Sequence, residues 1–431
     1  MIRTFTVNAF IDAFLSTQKE HNAFEEEVMV LVKEVIEDIR TNGEVALKKY
    51  VEKFDQCIPD KWEVSKEERK QAWKDVSEET SEALQKAAEN IKQFHAKQLQ
   101  QSRIMEMTED IISGQLLQPM ERVGIYVPGG TAVYPSTVLM NAIPAVLAGV
   151  EKVIMVTPAR NGGQIDPILS VAADIAGVDT IYKIGGIQAI AALAYGTETI
   201  EAVDKIVGPG NKYVAAAKAS VFGDVGIDMI AGPSEVAIIA DKTANPTFIA
   251  ADLIAQAEHD EHARTFLFTT SQTLIERTQA ELRKQCAVLP RQEIAIKSLT
   301  NQSAIVLVED IDTAFLLANR LAPEHLEIQL QHPLSYLGKV KNAGSVFLGA
   351  HTPESLGDYF AGPNHVLPTS GTARFSSGLS VDDFMKKTTY LYYSEAALKT
   401  AAPFVEHLAM KEQLVGHARA VSKRLEKRKN E

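Results

Sequence analysis

The sequence predicts an α/β protein: two parallel α/β units, with a helical region before them and a helical tail after them. Three observations carry this prediction. From about residue 121, short β-branched apolar runs that end in Gly or Pro alternate with helical patterns. Residues 23 to 100 are instead rich in Glu, Lys, Gln and Ala, with apolar residues three and four apart. From about Val381 the chain returns to charged, helix-forming sequence ending in KRLEKRKNE, which reads as a solvated helix terminus rather than a nucleic-acid arm.

In chain order, VMVLVKEVIEDI and EALQKAAENIKQF are amphipathic helices. The first α/β series has candidate strands at Val123 to Val127, Val153 to Thr157, Thr180 to Ile184, Lys205 to Val207 and Ile227 to Ile230. Helices are expected between them at Pro167 to Ala176, Gln188 to Tyr195 and Lys212 to Val221. Strand, helix, strand at this pitch implies right-handed crossovers, a parallel sheet, and ligands near the strand C-terminal ends. A second series follows: EVAIIA at 235 to 240, helical PTFIAADLIAQAEHD, TFLFTT at 265 to 270, a helix ending near Lys284, and SAIVLV at 303 to 308.

Composition narrows the function. The 431 residues are 45% hydrophobic and 23% charged, an ordinary globular balance with length for at least two domains. A formal net charge of -12 argues against coating nucleic acid or an anionic membrane. Two cysteines, Cys57 and Cys286, leave neither a disulfide framework nor a cysteine–zinc cluster. MIRTFTVNAF lacks the features of a secretory signal. The most apolar stretch, Val138 to Val150, contains Asn141 and Pro144 and is shorter than the roughly 20 apolar residues of a membrane helix. A soluble cytoplasmic protein is the expectation.

Four glycine turns open the chemistry: VPGGTAVYPS at 127 to 136, IGGIQA at 184 to 189, VGPGNKY at 207 to 213 and AGPSE at 231 to 235. Each follows a strand, where backbone N–H groups can approach a phosphate or carboxylate. Singly each is only a connector. None is a dinucleotide fingerprint, since Tyr213 stands where a third glycine would be, so together they suggest an unconventional nucleotide edge.

Gln256 and His259 are three residues apart in a helical stretch, on one face, with His262 extending the row. Alone, such a pair reads better as a polar outer face. Glu324 and His325 follow Pro323, which suits a helix start with Glu324 as a first-turn acid; they could equally be two general bases. Asp358 and His365 fall in a long loop dense in Gly, Pro, Ser and Thr, where Asp358 could simply cap a turn. Glu412 and His417, near the C-terminus, fit an exposed helix.

Together these segments resemble the histidinol dehydrogenase family. The resemblance runs from about Arg122 to the C-terminal helix, through RVGIYVPGG, YPSTVLMNAIPA, GGIQAIAALAYGT, KIVGPGNKYV, DMIAGPSEV, QAEHD, LAPEHLEI, GDYFAGPNHVLPTSGTARFSSGLSV and EQLVGHARAV. Gly378 departs from it, standing where the family usually has Pro. The resemblance implies oxidation of L-histidinol to L-histidine through the aldehyde, a step of histidine biosynthesis, with two NAD per turnover and one zinc ion per site.

It also implies residue roles. Gln256, His259, Asp358 and His417 would hold the zinc, and Ser234, His325, His365 and Glu412 would contact substrate beside them. Tyr126, Gln188 and Asn211 would contact NAD, and all three lie at the glycine turns. His325 would be the general base for both hydride transfers, and Glu324 would activate the water that hydrates the aldehyde. A homodimer is implied, in which the C-terminal segment, with Glu412 and His417, completes the neighbour's site.

The expected division is two Rossmann-like domains: 23–125 with 236–378, and 126–235 as the NAD-binding domain. Residues 1–22 form an extension and 379–431 a helical tail in the dimer interface. Cys57 and Cys286 fall outside every matched motif, so the aldehyde step is assigned to water beside Glu324 and not to a thiohemiacetal. Two other readings use the same residues: a paralogous zinc- and NAD-dependent dehydrogenase of another small polar alcohol, and a metal-dependent hydrolase or metal-binding module without NAD.

Overall fold

The structure, a computed structural model, describes residues 2–16, 24–55, 57–129, 133–160, 162–230 and 232–426. Residues 130–132 of the first glycine turn, Ala231 of the fourth, and parts of the N-terminal extension and basic tail lie outside the described residues. The chain forms two compact units, one of residues 1–98 and 120–384, the other of residues 99–119 and 385–431.

The first unit begins with β1 (Arg3–Phe5) and the short α1 (Val7–Phe10). Next comes α2 (Glu26–Phe54), whose Val28, Val32, Val35, Ile36 and Ile39 recur at helical spacing and are buried. Gly43, at φ 50° and ψ -127°, kinks α2 where no other residue sits easily. Then come α3 (Lys66–Asp75), started by a Ser65–Glu68 capping box, and α4 (Glu78–Ala96). In the second unit, β2 (Arg103–Met107) and β3 (Ile111–Pro119) form an antiparallel ribbon.

The first unit resumes with β4 (Arg122–Tyr126), α5 (Pro135–Ala148), β5 (Lys152–Val156), α6 (Pro167–Ala176), β6 (Thr180–Tyr182), α7 (Gly186–Tyr195), β7 (Lys205–Val207), α8 (Lys212–Val221) and β8 (Gly226–Ile227). These strands make a five-stranded parallel sheet in the order β6-β5-β4-β7-β8. The order reverses between β4 and β7, which opens a crevice at their C-terminal ends. The buried face of α2 shares its core with this sheet, α7 and α8.

The second series is β9 (Glu235–Ala240), α9 (Pro246–Ala257), β10 (Arg264–Thr269), α10 (Gln272–Cys286), α11 (Gln292–Asn301), β11 (Ala304–Leu307), α12 (Ile311–Leu321), β12 (His325–Gln329), β13 (Ser345–Leu348) and α13 (Glu354–Tyr359). With β1 they form a six-stranded parallel sheet ordered β1-β11-β10-β9-β12-β13, reversing between β9 and β12. The sequence reading finds β9, β10 and β11 but not β1, β12 or β13. HLEIQ carries three polar residues in five, and β-propensity alone does not mark it as a buried central strand.

The second unit closes with β14 (Met385–Tyr393), α14 (Glu395–Lys411) and α15 (Val415–Leu425). The tail is therefore not wholly helical: MKKTTYLYY pairs antiparallel with β3 from Met385 opposite Pro119 to Tyr393 opposite Ile111. Its β-branched and aromatic residues suit a strand, and the Lys pair reads as helix-forming only in isolation. Among the described residues no helix is long and apolar enough to cross a membrane.

Candidate active site

The site is built at the start of strand β12. Strand alternation sends His325, Glu327 and Gln329 to one face, while Leu326 and Ile328 enter the core on the other. Glu324 and His325 are not a helix start: α12 ends at Leu321, Ala322 turns the chain in the left-handed region, and His325 is already paired with Val236 of β9. The site thus lies at the N-terminal edge of the second sheet, not at strand C-terminal ends. Glu235, the first residue of β9, orients both side chains through its backbone: its N–H donates to Glu324 Oε2 at 2.9 Å, and its carbonyl lies 3.1 Å from His325 Nδ1. Its own carboxylate turns away to accept from Arg264 at 2.8 Å.

Two helices close around the imidazole. Gln256 comes from α9, and Glu354 and Asp358 share one face of α13 at a four-residue spacing. The Gln256 amide nitrogen finds acceptors only when it faces Glu354, 3.1 and 3.3 Å from the two carboxyl oxygens. Glu354 Oε2 lies 3.7 Å from His325 Nδ1, and Asp358 Oδ1 lies 3.6 Å from Nε2. Nε2 is buried with no hydrogen-bond partner. Asp358 therefore sits in the last turn of a short helix rather than in the long loop that follows. His365 is in that loop, with Nδ1 3.0 Å from the Asp358 carbonyl and Nε2 3.4 Å from the Thr137 hydroxyl at the start of α5.

The helix carrying Gln256 ends at Ala257, so His259 is not on its face. It sits in the following turn, where its N–H donates to the Gln256 carbonyl at 3.3 Å. His262 is exposed beyond it, beside Glu261, and does not extend the row. Ser234 is half-buried just before β9, and its carbonyl accepts from Arg264 N at 2.9 Å. Glu412 caps the C-terminus of α14 and His417 lies in α15; both are exposed residues of the second unit.

Burial pushes the Glu324 carboxyl up to about 7 and the Glu354 carboxyl up to about 8, against the pull of the His325 charge. Burial opposes a proton on His325, but Glu324, Glu354 and Asp358 outweigh it and hold the imidazolium well above its usual range. Burial would raise Asp358, yet the nearby imidazoles of His325, His365 and His259 keep it lowered. Burial lowers His259 and His365, favouring neutral rings.

Among the described residues no three His, Cys, Asp or Glu side chains converge as a metal cluster. The first unit offers one amide, one imidazole and one carboxylate in Gln256, His259 and Asp358. Their states fit a divalent cation: a neutral imidazole and an ionised carboxylate are the forms that ligate. With its nitrogen on Glu354, Gln256 keeps its amide oxygen for the other side.

At the other sheet, Tyr126 ends β4 and its hydroxyl accepts from Gly186 N at 3.1 Å. Gln188 is buried and donates to Asp55 Oδ1 at 3.2 Å, while its own Oε1 has no partner. Asn211 caps α8, its side chain accepting from Tyr213 N and Val214 N, and it is exposed. These three therefore gather at the C-terminal ends of β4, β6 and β7, with Asp55 beside them. Sequence reasoning missed Asp55, Glu235, Glu327 and Glu354. The alternation in HLEIQ was the one signal that could have found Glu327. Cys286 is buried among apolar residues of the α9–α10 core.

The sequence profile described as histidinol dehydrogenase matches residues 18–425. The histidinol dehydrogenase of Bacillus cereus is 55% identical over 94% of both chains, and that of Clostridium acetobutylicum 53% over 95% of both. A crystal structure of histidinol dehydrogenase from Elizabethkingia anophelis superposes with a TM-score of 0.91 at 42% identity, covering 98% of each chain. On this agreement of sequence and fold over nearly its whole length, the chain belongs to the histidinol dehydrogenase family, a family of oxidoreductases.

Proposed function

We propose that the chain oxidises L-histidinol to L-histidine through the aldehyde, as a zinc-dependent enzyme that reduces two NAD per substrate. Family membership over residues 18–425 supports the substrate. The observation that carries the chemistry is His325: its Nδ1 is taken by the Glu235 carbonyl at 3.1 Å, and its Nε2 is buried without a hydrogen-bond partner.

Gln256, His259, Asp358 and His417 would hold the zinc, which would supply a template for the substrate, and bound NAD would supply the hydride acceptor. His325 takes the carbinol proton at Nε2 while Nδ1–H stays on the carbonyl of Glu235. Glu324, fixed by the Glu235 N–H, takes a proton from the water that adds to the aldehyde, while His325 returns its proton from Nε2 to the carbonyl oxygen and is free to act as a base again. His325 then takes the proton of the hydrate. Ser234, His365 and Glu412 contact the substrate, and Tyr126, Gln188 and Asn211 the dinucleotide. Burial of His325 and Glu324 limits bulk water at the reacting carbon.

A homodimer is part of this reading. The second unit exposes Leu391 at 68%, Phe404 at 70% and Leu408 at 62%, an apolar surface suited to a second copy. Glu412 and His417 belong to that unit and would be supplied in trans. The net charge of -12 and two cysteines favour a soluble cytoplasmic enzyme without nucleic-acid or membrane partners. The test is to follow NADH formed per L-histidinol consumed, before and after chelation. Two NADH per substrate, abolished by chelator and restored by zinc, is expected; undiminished turnover after complete zinc removal would overturn the metal's part.

A further inference from the structure

One residue pair beyond His325 on the same strand face lies a buried carboxyl pair that the proposed reaction does not use. Glu327 follows His325 by two positions on β12 and is fully buried. Asp252 precedes Gln256 by four on α9, so it shares that helix face, and it too is buried. The two carboxyls lie close enough to share a hydrogen bond. Such a bond needs a proton on one of them, because an ionised carboxylate only accepts.

Glu327 makes two more contacts. Its Oε1 accepts from the backbone N–H of Glu354 at 3.1 Å, and its Oε2 accepts from Gln329 Nε2 at 3.1 Å. Glu354 is the first residue of α13, and Pro353 before it offers no side-chain cap. Glu327 thus does from the neighbouring strand what an N-cap residue does from its own helix. One carboxyl joins three elements, and each carries a candidate site residue: His325 on β12, Gln256 on α9 and Asp358 on α13.

We propose that Asp252 and Glu327 are positioning residues that share one proton, and that through this bond and the cap on Glu354 they hold α9 and α13 in the register that brings Gln256 and Asp358 to His325. Burial pushes Asp252 up to about 6, and burial together with the charges of Asp252 and Glu354 pushes Glu327 well above its usual range. Among the described residues no cationic group acts on either carboxyl. Two apolar side chains would fill the same space with less desolvation but could not cap α13.

The test compares the full-length chain with Asp252→Ala, Asp252→Ser, Asp252→Asn and Glu327→Gln. In the two amide variants the hydrogen bond survives without a shared proton. Zinc affinity, measured by chelator competition, is expected to weaken about 10- to 100-fold in Asp252→Ala and Asp252→Ser, the scale of lost support around a metal ligand. It should stay within a few-fold of the parent in Asp252→Asn and Glu327→Gln. Parental zinc affinity in folded Asp252→Ser, or amide variants as weak as Asp252→Ser, would overturn the proposal. This arm rests on the metal reading above, so hydrogen exchange on the metal-free protein separates the two. Faster exchange at the Glu354 amide and the last turn of α9 in Asp252→Ser, but not in Asp252→Asn, supports positioning even if the parent holds no zinc. Unchanged exchange in Asp252→Ser overturns it. An infrared difference spectrum between parent and Glu327→Gln should contain a protonated-carboxyl band, and its absence would overturn the shared proton.

Discussion

The Nδ1 nitrogen of His325 lies 3.1 Å from the carbonyl oxygen of Glu235 on the neighbouring strand. A carbonyl only accepts, so Nδ1 carries hydrogen and Nε2 is the nitrogen left for the proposed proton transfer. His325→Asn keeps a donor for the Glu235 carbonyl and removes that base. A fall in kcat on the order of 10²- to 10⁴-fold is expected from either L-histidinol or the aldehyde, with little change in the KM for NAD. Steady-state assays from both substrates check it, and a loss confined to one would leave His325 out of the other proton transfer.

The carboxyls around His325 also set the direction of its pH dependence. Glu324, Glu354 and Asp358 hold its proton well above the ordinary imidazole range against the effect of burial. A base works only when deprotonated, so alcohol oxidation should rise with pH past neutrality. Glu354→Gln removes one negative charge facing Nδ1 at 3.7 Å, which should move the rising limb to lower pH. A limb that stays in place, or moves upward, would show that Glu354 does not hold this proton.

Much of the scaffold was legible in the sequence, because β-branched runs ending at Gly or Pro are local signals, and β4, β5, β9 and β10 were readable within a residue or so. The candidate pair Glu324 and His325 was legible only as residue types. Its placement on β12 depends on the partner strand β9, whose Glu235 backbone orients both side chains across 89 and 90 residues of chain. Buried Glu327 and Glu354 gave no hydrophobic signal, since acidic residues ordinarily face water. The end of α9 at Ala257 was hidden as well: AEHD continues a helical pattern that the structure breaks with a turn, and that turn displaces His259 from the face of Gln256.

Glu324 should divide the two oxidations. Its carboxyl accepts from Glu235 N at 2.9 Å and is pushed by burial up to about 7, a value suited to taking a proton from water near neutral pH. Glu324→Gln should slow aldehyde oxidation much more than alcohol oxidation in single-turnover assays started from each. The rise of the aldehyde rate through about pH 7 should flatten in the same variant. Equal losses from both starting points would sink the division of labour.

The buried ion pair of Lys218 and Asp228 holds the third glycine turn. Lys218 Nζ also donates to the Gly208 carbonyl at 2.8 Å, and Asp228 Oδ2 accepts from Gly208 N at 2.8 Å. Gly208 has φ 112°, and a Cβ there would lie 2.2 Å from the Tyr126 carbonyl, so the turn has no slack. Asp228→Ala strands a buried lysine charge and should cost about 3–5 kcal/mol in urea unfolding. In the folded fraction it should raise the KM for NAD more than that for L-histidinol. An unchanged urea midpoint would mean that Lys218 finds another partner.

The exposed apolar side chains of the second unit give the last prediction. Phe404 and Leu408 are one turn apart on α14 and are 70% and 62% exposed, so a charge there costs the isolated chain little. In a dimer that buries them, each charge would be desolvated without a partner. Phe404→Asp with Leu408→Asp should therefore shift the mass in analytical ultracentrifugation from two copies toward one while the helical circular dichroism is kept. Because Glu412 and His417 lie in the same unit, activity should fall with the dimer and return as protein concentration is raised. A fully active monomer would overturn both the interface and the supply of these residues by a partner.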